Sequence, residues 1–201
     1  MPDTRAPAWK TSFHGGHSVG FCDHAKDPLE AILDAAAAYG YHTFGVTEHA
    51  PRVRPEHLFD EERAMGWDVA TLDTLFTRYA AAVDRLAAEY AGKLTVLKGF
   101  EAEVVPEDSY ADLMRGYRER FGFEYMVGSV HFVAGVAIDY RPDYYQRAVA
   151  AYGGVEGMAC RYYELVAEMV RALEPEIVGH LDLVRLGASD EEVSTPAVRR
   201  A

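Results

Sequence analysis

Apolar residues recur along the chain with two alternating periods. Short apolar, β-branched or aromatic runs at residues 9–13, 43–47, 94–97, 125–130 and 177–179 read as strands, that at 43–47 as a buried one. Between them apolar positions return every three or four residues. Leu29, Ile32, Leu33 and Ala36 do so up to Gly40, and Leu72, Leu75, Phe76, Tyr79, Val83, Leu86 and Tyr90 do so within 68–92. The stretch 110–121 repeats the pattern, as do Tyr162, Leu165, Val166, Met169 and Leu173 within 159–173. Asp27 supplies a cap and Pro28 a first helical position for the first helix, while Pro175 blocks continuation of the last. Strands alternating with helices predict parallel βα units, whose post-strand loops gather on one face of a sheet or barrel.

The residues with chemistry sit at those strand ends. His14 and His17 follow the first strand with two glycines between them, and His24 lies in the loop beyond. His49 follows the second strand, Glu101 ends the third, His131 the fourth and His180 the fifth. Imidazole combined with carboxylate suits zinc, manganese or iron, whereas an all-oxygen set would suit magnesium or calcium. A carboxylate such as Glu101 can bridge two ions about 3.5–4 Å apart, an arrangement that favours hydrolysis. A single loop histidine is ordinarily a hydrogen-bonding or surface residue, so joint placement carries the assignment. His42 precedes its strand and His57 falls in a polar loop at 54–62, and both are left out. Cys22 reads as a packing residue, and Glu103 and Asp139 receive no primary role. Arg52, three residues after His49, and Arg185, five after His180, are expected to project near the metal face and fork onto a phosphate, with a surface ion pair as the alternative.

Composition narrows the class. At 201 residues, 49% hydrophobic and 26% charged, the chain fits one soluble globular domain. Its longest apolar run, around 35–38, is far below the ~20 residues of a membrane helix, so no membrane partner is expected. Residues 1–10 carry no signal pattern and two cysteines make no disulfide framework, which points to the cytoplasm. Twenty basic against 32 acidic side chains give a net charge of −12, the wrong sign for a nucleic-acid binder and a favourable one for cations.

Taken in order, His17-Ser18, Phe21-Cys22-Asp23-His24-Ala25, Thr47-Glu48-His49-Ala50-Pro51-Arg52, Glu101 within 99–103, Gly128-Ser129-Val130-His131 with Ile138-Asp139, and Gly179-His180-Leu181-Asp182-Leu183-Val184-Arg185 resemble the PHP (polymerase and histidinol phosphatase) superfamily, and more closely its histidinol-phosphate phosphatases. The resemblance implies an α/β chain, 1–201 forming a single PHP domain, with a distorted (β/α)7 TIM-like barrel. It implies a site of two or three divalent ions (Zn, Mn or Fe) that hydrolyses L-histidinol phosphate to L-histidinol and phosphate in histidine biosynthesis. The partner is then a small-molecule phosphomonoester, with oligomerisation left open. Carried over by position, His17, His24, His49, Glu101, His131 and His180 are metal ligands and Arg52 and Arg185 phosphate-binding residues; His14 is expected as a further ligand, and Glu101 and Asp182 are expected to be catalytic. The chain departs from the family in two places. Two glycines part His14 from His17 where the family has His-x-His, and no Asp-x-His pair follows Asp182. The C-terminal part of the barrel is therefore expected to be incomplete, with 186–201 a polar tail or the start of a closing segment. Exposed sheet edges, low metal occupancy and little activity are then expected unless another subunit covers the gap. The alternatives are a PHP-type phosphoesterase acting on nucleotides and a truncated, non-catalytic metal-binding protein.

Overall fold

In the computed structural model, which describes residues 10–22 and 24–201, five segments pair side by side and all parallel. They are β1 (Lys10–Ser12), β2 (Tyr41–His49), β3 (Thr95–Glu103), β4 (Tyr125–Ser129) and β7 (Ile177–Val178), in that spatial order. The segment 1–9, including the expected strand start at Trp9, and Asp23 in its motif lie outside the described residues. The sheet curls as a half-barrel, with α1 (Leu29–Ala38), α3 (Val69–Glu89), α4 (Tyr110–Phe121) and α6 (Val155–Leu173) on its outer face. These match the four periodic stretches. Helix α6 begins earlier than its apolar stripe suggested, and α1 starts at Leu29 with Pro28 as the extended residue before it. Asp27 is thus not the cap; its carbonyl accepts from Val19 N at 2.9 Å.

Three elements lack a sequence signal. Helix α2 (Asp60–Ala64) is a single polar turn whose one buried side chain is Glu62, so it has no apolar period to detect. Helix α5 (Pro142–Ala151) buries only Tyr145 and Ala148. The hairpin of β5 (Phe132–Val133) and β6 (Val136–Ala137) turns through Ala134 and Gly135, both at positive φ. The stretch 54–62, expected as a polar loop, is instead built into the fold. His57 is buried on a 3-10 turn, 5.8 Å from the Phe132 ring, and burial lowers its pKa. In 186–201, polar at most positions, Val193 and Val198 enter the main core.

Strand alternation divides the sheet cleanly. On β3, Val96, Phe100 and Ala102 face the helices, and Phe100 meets Phe76 and Phe123 at 6.0 and 4.7 Å between ring centroids. The intervening Gly99, Glu101 and Glu103 line the concave face. Low in that concavity the Tyr125 ring fills the space over Gly45 and Gly99, and its hydroxyl donates to Phe13 O at 2.8 Å. A Cβ at either glycine would run into Tyr125. The lower half of the concavity is thereby plugged, and only its upper rim, at the carboxyl ends of the strands, is free for chemistry.

Gly99→Ala is expected to destabilise the protein by about 1–3 kcal/mol in urea unfolding, through overpacking against Tyr125. In a Tyr125→Leu background the same substitution should cost clearly less, because the obstructing ring is gone; equal costs in both backgrounds would contradict the packing account.

Candidate metal centre

The parallel register sets His49 beside Glu101, and Glu103 beside Ser129 two residues before His131. Since side chains alternate faces, Glu101 and Glu103 both point into the concavity, and a one-residue slip would turn them into the helix layer. The loop after β1 adds His14 and His17. Its two glycines have separate reasons: a Cβ on Gly15 would strike the Gly45 carbonyl and the Phe44 ring, and Gly16 sits at φ +79°. The wider spacing of the two histidines thus still delivers both rings to the centre.

Glu101 is the hub. Its side chain is 1% exposed and five imidazoles surround it: His49 Nδ1 at 3.3 Å, His180 Nε2 at 3.4 Å, His131 Nε2 at 3.5 Å, His14 Nε2 at 3.6 Å and His17 Nε2 at 3.7 Å. His24 joins from the exposed side, its ring 4.9 Å from that of His17. The donor atoms fall into three groups, each with its members within 4.8 Å of one another: His17, His24 and His49; His14, Glu101 and His180; and His49, Glu103 and His131. All seven residues expected as ligands are therefore brought together.

Supports around the hub aim the rings. Glu48 Oε2 accepts from His17 Nδ1 at 3.2 Å, while its Oε1 accepts from Ser18 N and Oγ at 2.6 and 2.7 Å and ties down the loop. His14 Nδ1 pairs with Thr47 Oγ1 at 2.6 Å, and the Tyr162 hydroxyl donates to His180 O at 2.9 Å. These contacts leave the other ring nitrogens of His14 and His17 directed at Glu101.

Sequence reasoning passed over Glu103 and Glu48. Glu103 is buried, 2.6 Å from His49 Nδ1 and 3.7 Å from His131 Nδ1. Its signal was strand parity, two positions from Glu101 on the same face. Glu48 faces the other way from His49 and carried no such signal. Asp182, in contrast, is exposed ahead of the 3-10 turn Leu183–Gly187 and joins none of the donor groups. Arg52 is buried, donates through Nη2 to Glu62 and lies 4.6 Å from the Phe59 ring centroid; Arg185 is exposed and pairs with Asp190.

The electrostatics are those of a cation cage. Burial pushes the Glu101 carboxyl up, but the charge of His49, the close approach of the His180 ring and the charges of His131 and His14 override it and hold it well below the ordinary carboxylate range. Glu103 is lowered the same way, burial being outweighed by His49 and His131. His180 is raised by the Glu101 carboxylate 3.4 Å away, and burial lowers His14.

The donor set fits divalent metal on two counts. Buried atoms Glu101 Oε1, Glu103 Oε2, His131 Nδ1 and His180 Nδ1 make no hydrogen bond in the described residues. The 3.3–3.7 Å spacing around Glu101 is too long for shared protons. It starts at, and extends a few tenths of an ångström beyond, the ~3.3–3.4 Å separating two donors that each sit ~2.0–2.1 Å from one tetrahedral ion.

Comparison with known proteins places this geometry in a family. The PHP domain matches residues 15–200. Over 176 residues the chain is 32% identical to a probable histidinol-phosphatase of Schizosaccharomyces pombe, covering 87% of this chain and 56% of that protein. It is 26% identical to the histidinol-phosphatase of Saccharomyces cerevisiae, over 86% of this chain and 55% of that one. The chain thus spans about half the length of these curated relatives. Its fold resembles HisK of Listeria monocytogenes, with a TM-score of 0.75, 23% identity and coverage of 96% of this chain and 74% of that one. The histidinol phosphate phosphatase of Lactococcus lactis, solved with zinc, L-histidinol and phosphate, superimposes with a TM-score of 0.66, 18% identity and coverage of 96% and 65%. With the family match running over nearly its whole length, this chain belongs to the PHP domain family.

Proposed function

We propose that the chain, as one PHP domain, is a cytoplasmic, divalent-metal-dependent phosphomonoesterase that hydrolyses L-histidinol phosphate to L-histidinol and phosphate. The single observation that carries this is the buried Glu101 carboxylate ringed by five imidazoles at 3.3–3.7 Å with its Oε1 unpartnered. The relatives' names and the zinc, L-histidinol and phosphate of the Lactococcus lactis protein support the substrate and make zinc the first metal to test. No helix among the described residues is long and apolar enough to cross a membrane.

Two or three ions would be held by His14, His17, His24, His49, Glu101, Glu103, His131 and His180. When bound, they supply Lewis-acid stabilisation of phosphoryl charge and bring the acidity of water into the neutral range. In hydrolysis a water oxygen bonds to phosphorus, the ester P–O bond breaks and the departing alcohol oxygen takes up a proton. The buried charges of Glu101 and Glu103 balance the cations. Glu48 and Thr47 fix the faces that His17 and His14 present, so the cage needs little reorganisation during the reaction. Arg185, exposed and paired with Asp190, can exchange that carboxylate for a phosphoryl oxygen at small cost. Arg52 cannot do so cheaply, because breaking a buried ion pair costs several kcal/mol, so its contribution is to hold the wall of the site.

The direct test is phosphate release from L-histidinol phosphate by chelator-treated protein resupplied with zinc or manganese. Metal-dependent release is expected; metal uptake without release would reject the substrate. Glu101→Gln is expected to lower both bound metal, measured by mass spectrometry, and turnover, whereas unchanged values would remove Glu101 from the centre. Glu48→Gln should weaken metal affinity about 10–100-fold by freeing the His17 ring. Arg185→Ala should raise KM at unchanged metal content, and Arg52→Ala should instead lower stability by about 3–5 kcal/mol.

A further inference from the structure

A cavity of about 340 Å³ opens beside the donor cluster, within the ~300–1,000 Å³ of small-molecule sites. One end is formed by His24, His49, Glu103 and His131. Glu103 Oε2 and His131 Nδ1, on side chains more than nine-tenths buried, reach no hydrogen-bond partner among the described residues. The remainder of the lining has different chemistry. Phe59 and Tyr140 stack with centroids 4.8 Å apart, the Tyr140 hydroxyl is buried without a partner in the described residues, and Glu61 and Asp139 stand exposed beside them.

The charge balance of that remainder is negative. The neighbouring cations are already committed: Arg52 to Glu62, and Arg141 to Asp60 at 3.0 Å and Asp143 at 2.9 Å. Among the described residues neither Glu61 nor Asp139 has a side-chain hydrogen bond or ion pair. The cavity therefore has a cation-holding inner end that suits a phosphoryl dianion, and a carboxylate rim backed by aromatic surface that suits a positive group.

We propose, resting on the phosphomonoesterase reading above, that Glu61 and Asp139 are specificity-determining residues that receive the ammonium group of the substrate's alcohol, with Phe59 and Tyr140 as the wall behind it. A phosphomonoester carrying an amine near its ester oxygen is oriented by both ends at once, phosphoryl inward and ammonium at the rim. An ester lacking the amine gains only the inner contact. Two exposed carboxylates against an aromatic wall are expected to give about tenfold discrimination rather than a thousandfold.

The test uses two phosphonates that cannot be hydrolysed: 3-aminopropylphosphonate, whose amine stands as many bonds from phosphorus as that of histidinol phosphate, and butylphosphonate, in which a methyl group replaces the ammonium. Calorimetric titration of the zinc-loaded protein should show the amine-bearing probe binding about tenfold tighter. In the Glu61→Gln/Asp139→Asn double variant, with metal content measured in parallel, the two affinities should come within about twofold. Equal affinities in the unsubstituted protein would overturn the proposal, as would a preference that survives in the double variant. Because binding is read without turnover, an amine preference in a protein that fails to hydrolyse L-histidinol phosphate would uphold the rim assignment while rejecting that substrate.

Discussion

A carboxylate with no access to water, encircled by imidazoles too distant to share its protons, is the constraint on which the rest of this structure depends. Burying Glu101 in an apolar interior would be costly without compensating positive charge, and partial protonation of several crowded histidines is a poor source of it. Divalent cations satisfy the carboxylates and the unpartnered ring nitrogens together. The three donor groups thus describe one electrostatic unit, with Glu101 and His49 at its middle.

The fold is arranged to make that unit affordable. Parallel register sets His49 against Glu101, and the plug of Tyr125 over Gly45 and Gly99 closes the concavity beneath them. The ligands are therefore held at the rim of a packed half-barrel rather than in a water-filled channel. Outside the sheet, the aromatic packing of Phe76, Phe100 and Phe123 keeps β3 from shifting, and the two glycines after β1 let the His14 and His17 loop lie flat on β2. Precision at the site comes from residues outside the donor groups that hold its members in place: Glu48, Ser18, Thr47 and Tyr162.

Much of this was legible in the sequence because two strong periods alternate. Long helices with a continuous apolar stripe, such as α3, and strands ending in His or Glu announce themselves, and joint placement singled out seven residues that the fold gathers at one place. The missed parts are those where tertiary context overrides local pattern. Helix α2 is polar throughout and exists to seat Glu62 beneath Arg52. His57 looks like a loop histidine but is covered by Phe132, which arrives from a hairpin far along the chain. Glu103 was available from strand parity and Glu48 was not, since its role depends on a loop folding back over the end of β2. Arg52 and Arg185 look alike in sequence, each a few residues after a histidine, and only burial separates them.

The most direct measurement is thermal unfolding of chelator-stripped protein as zinc is added, for the natural sequence and for Glu101→Gln. Ions that bind this cage in the folded state alone, at about a hundredfold over their dissociation constant, should raise the midpoint of the natural sequence by about 5–10 °C. The Glu101→Gln protein should respond far less. A midpoint that stays put on metal addition, or that rises equally in both proteins, would contradict the account of Glu101 as the centre of a cation cage.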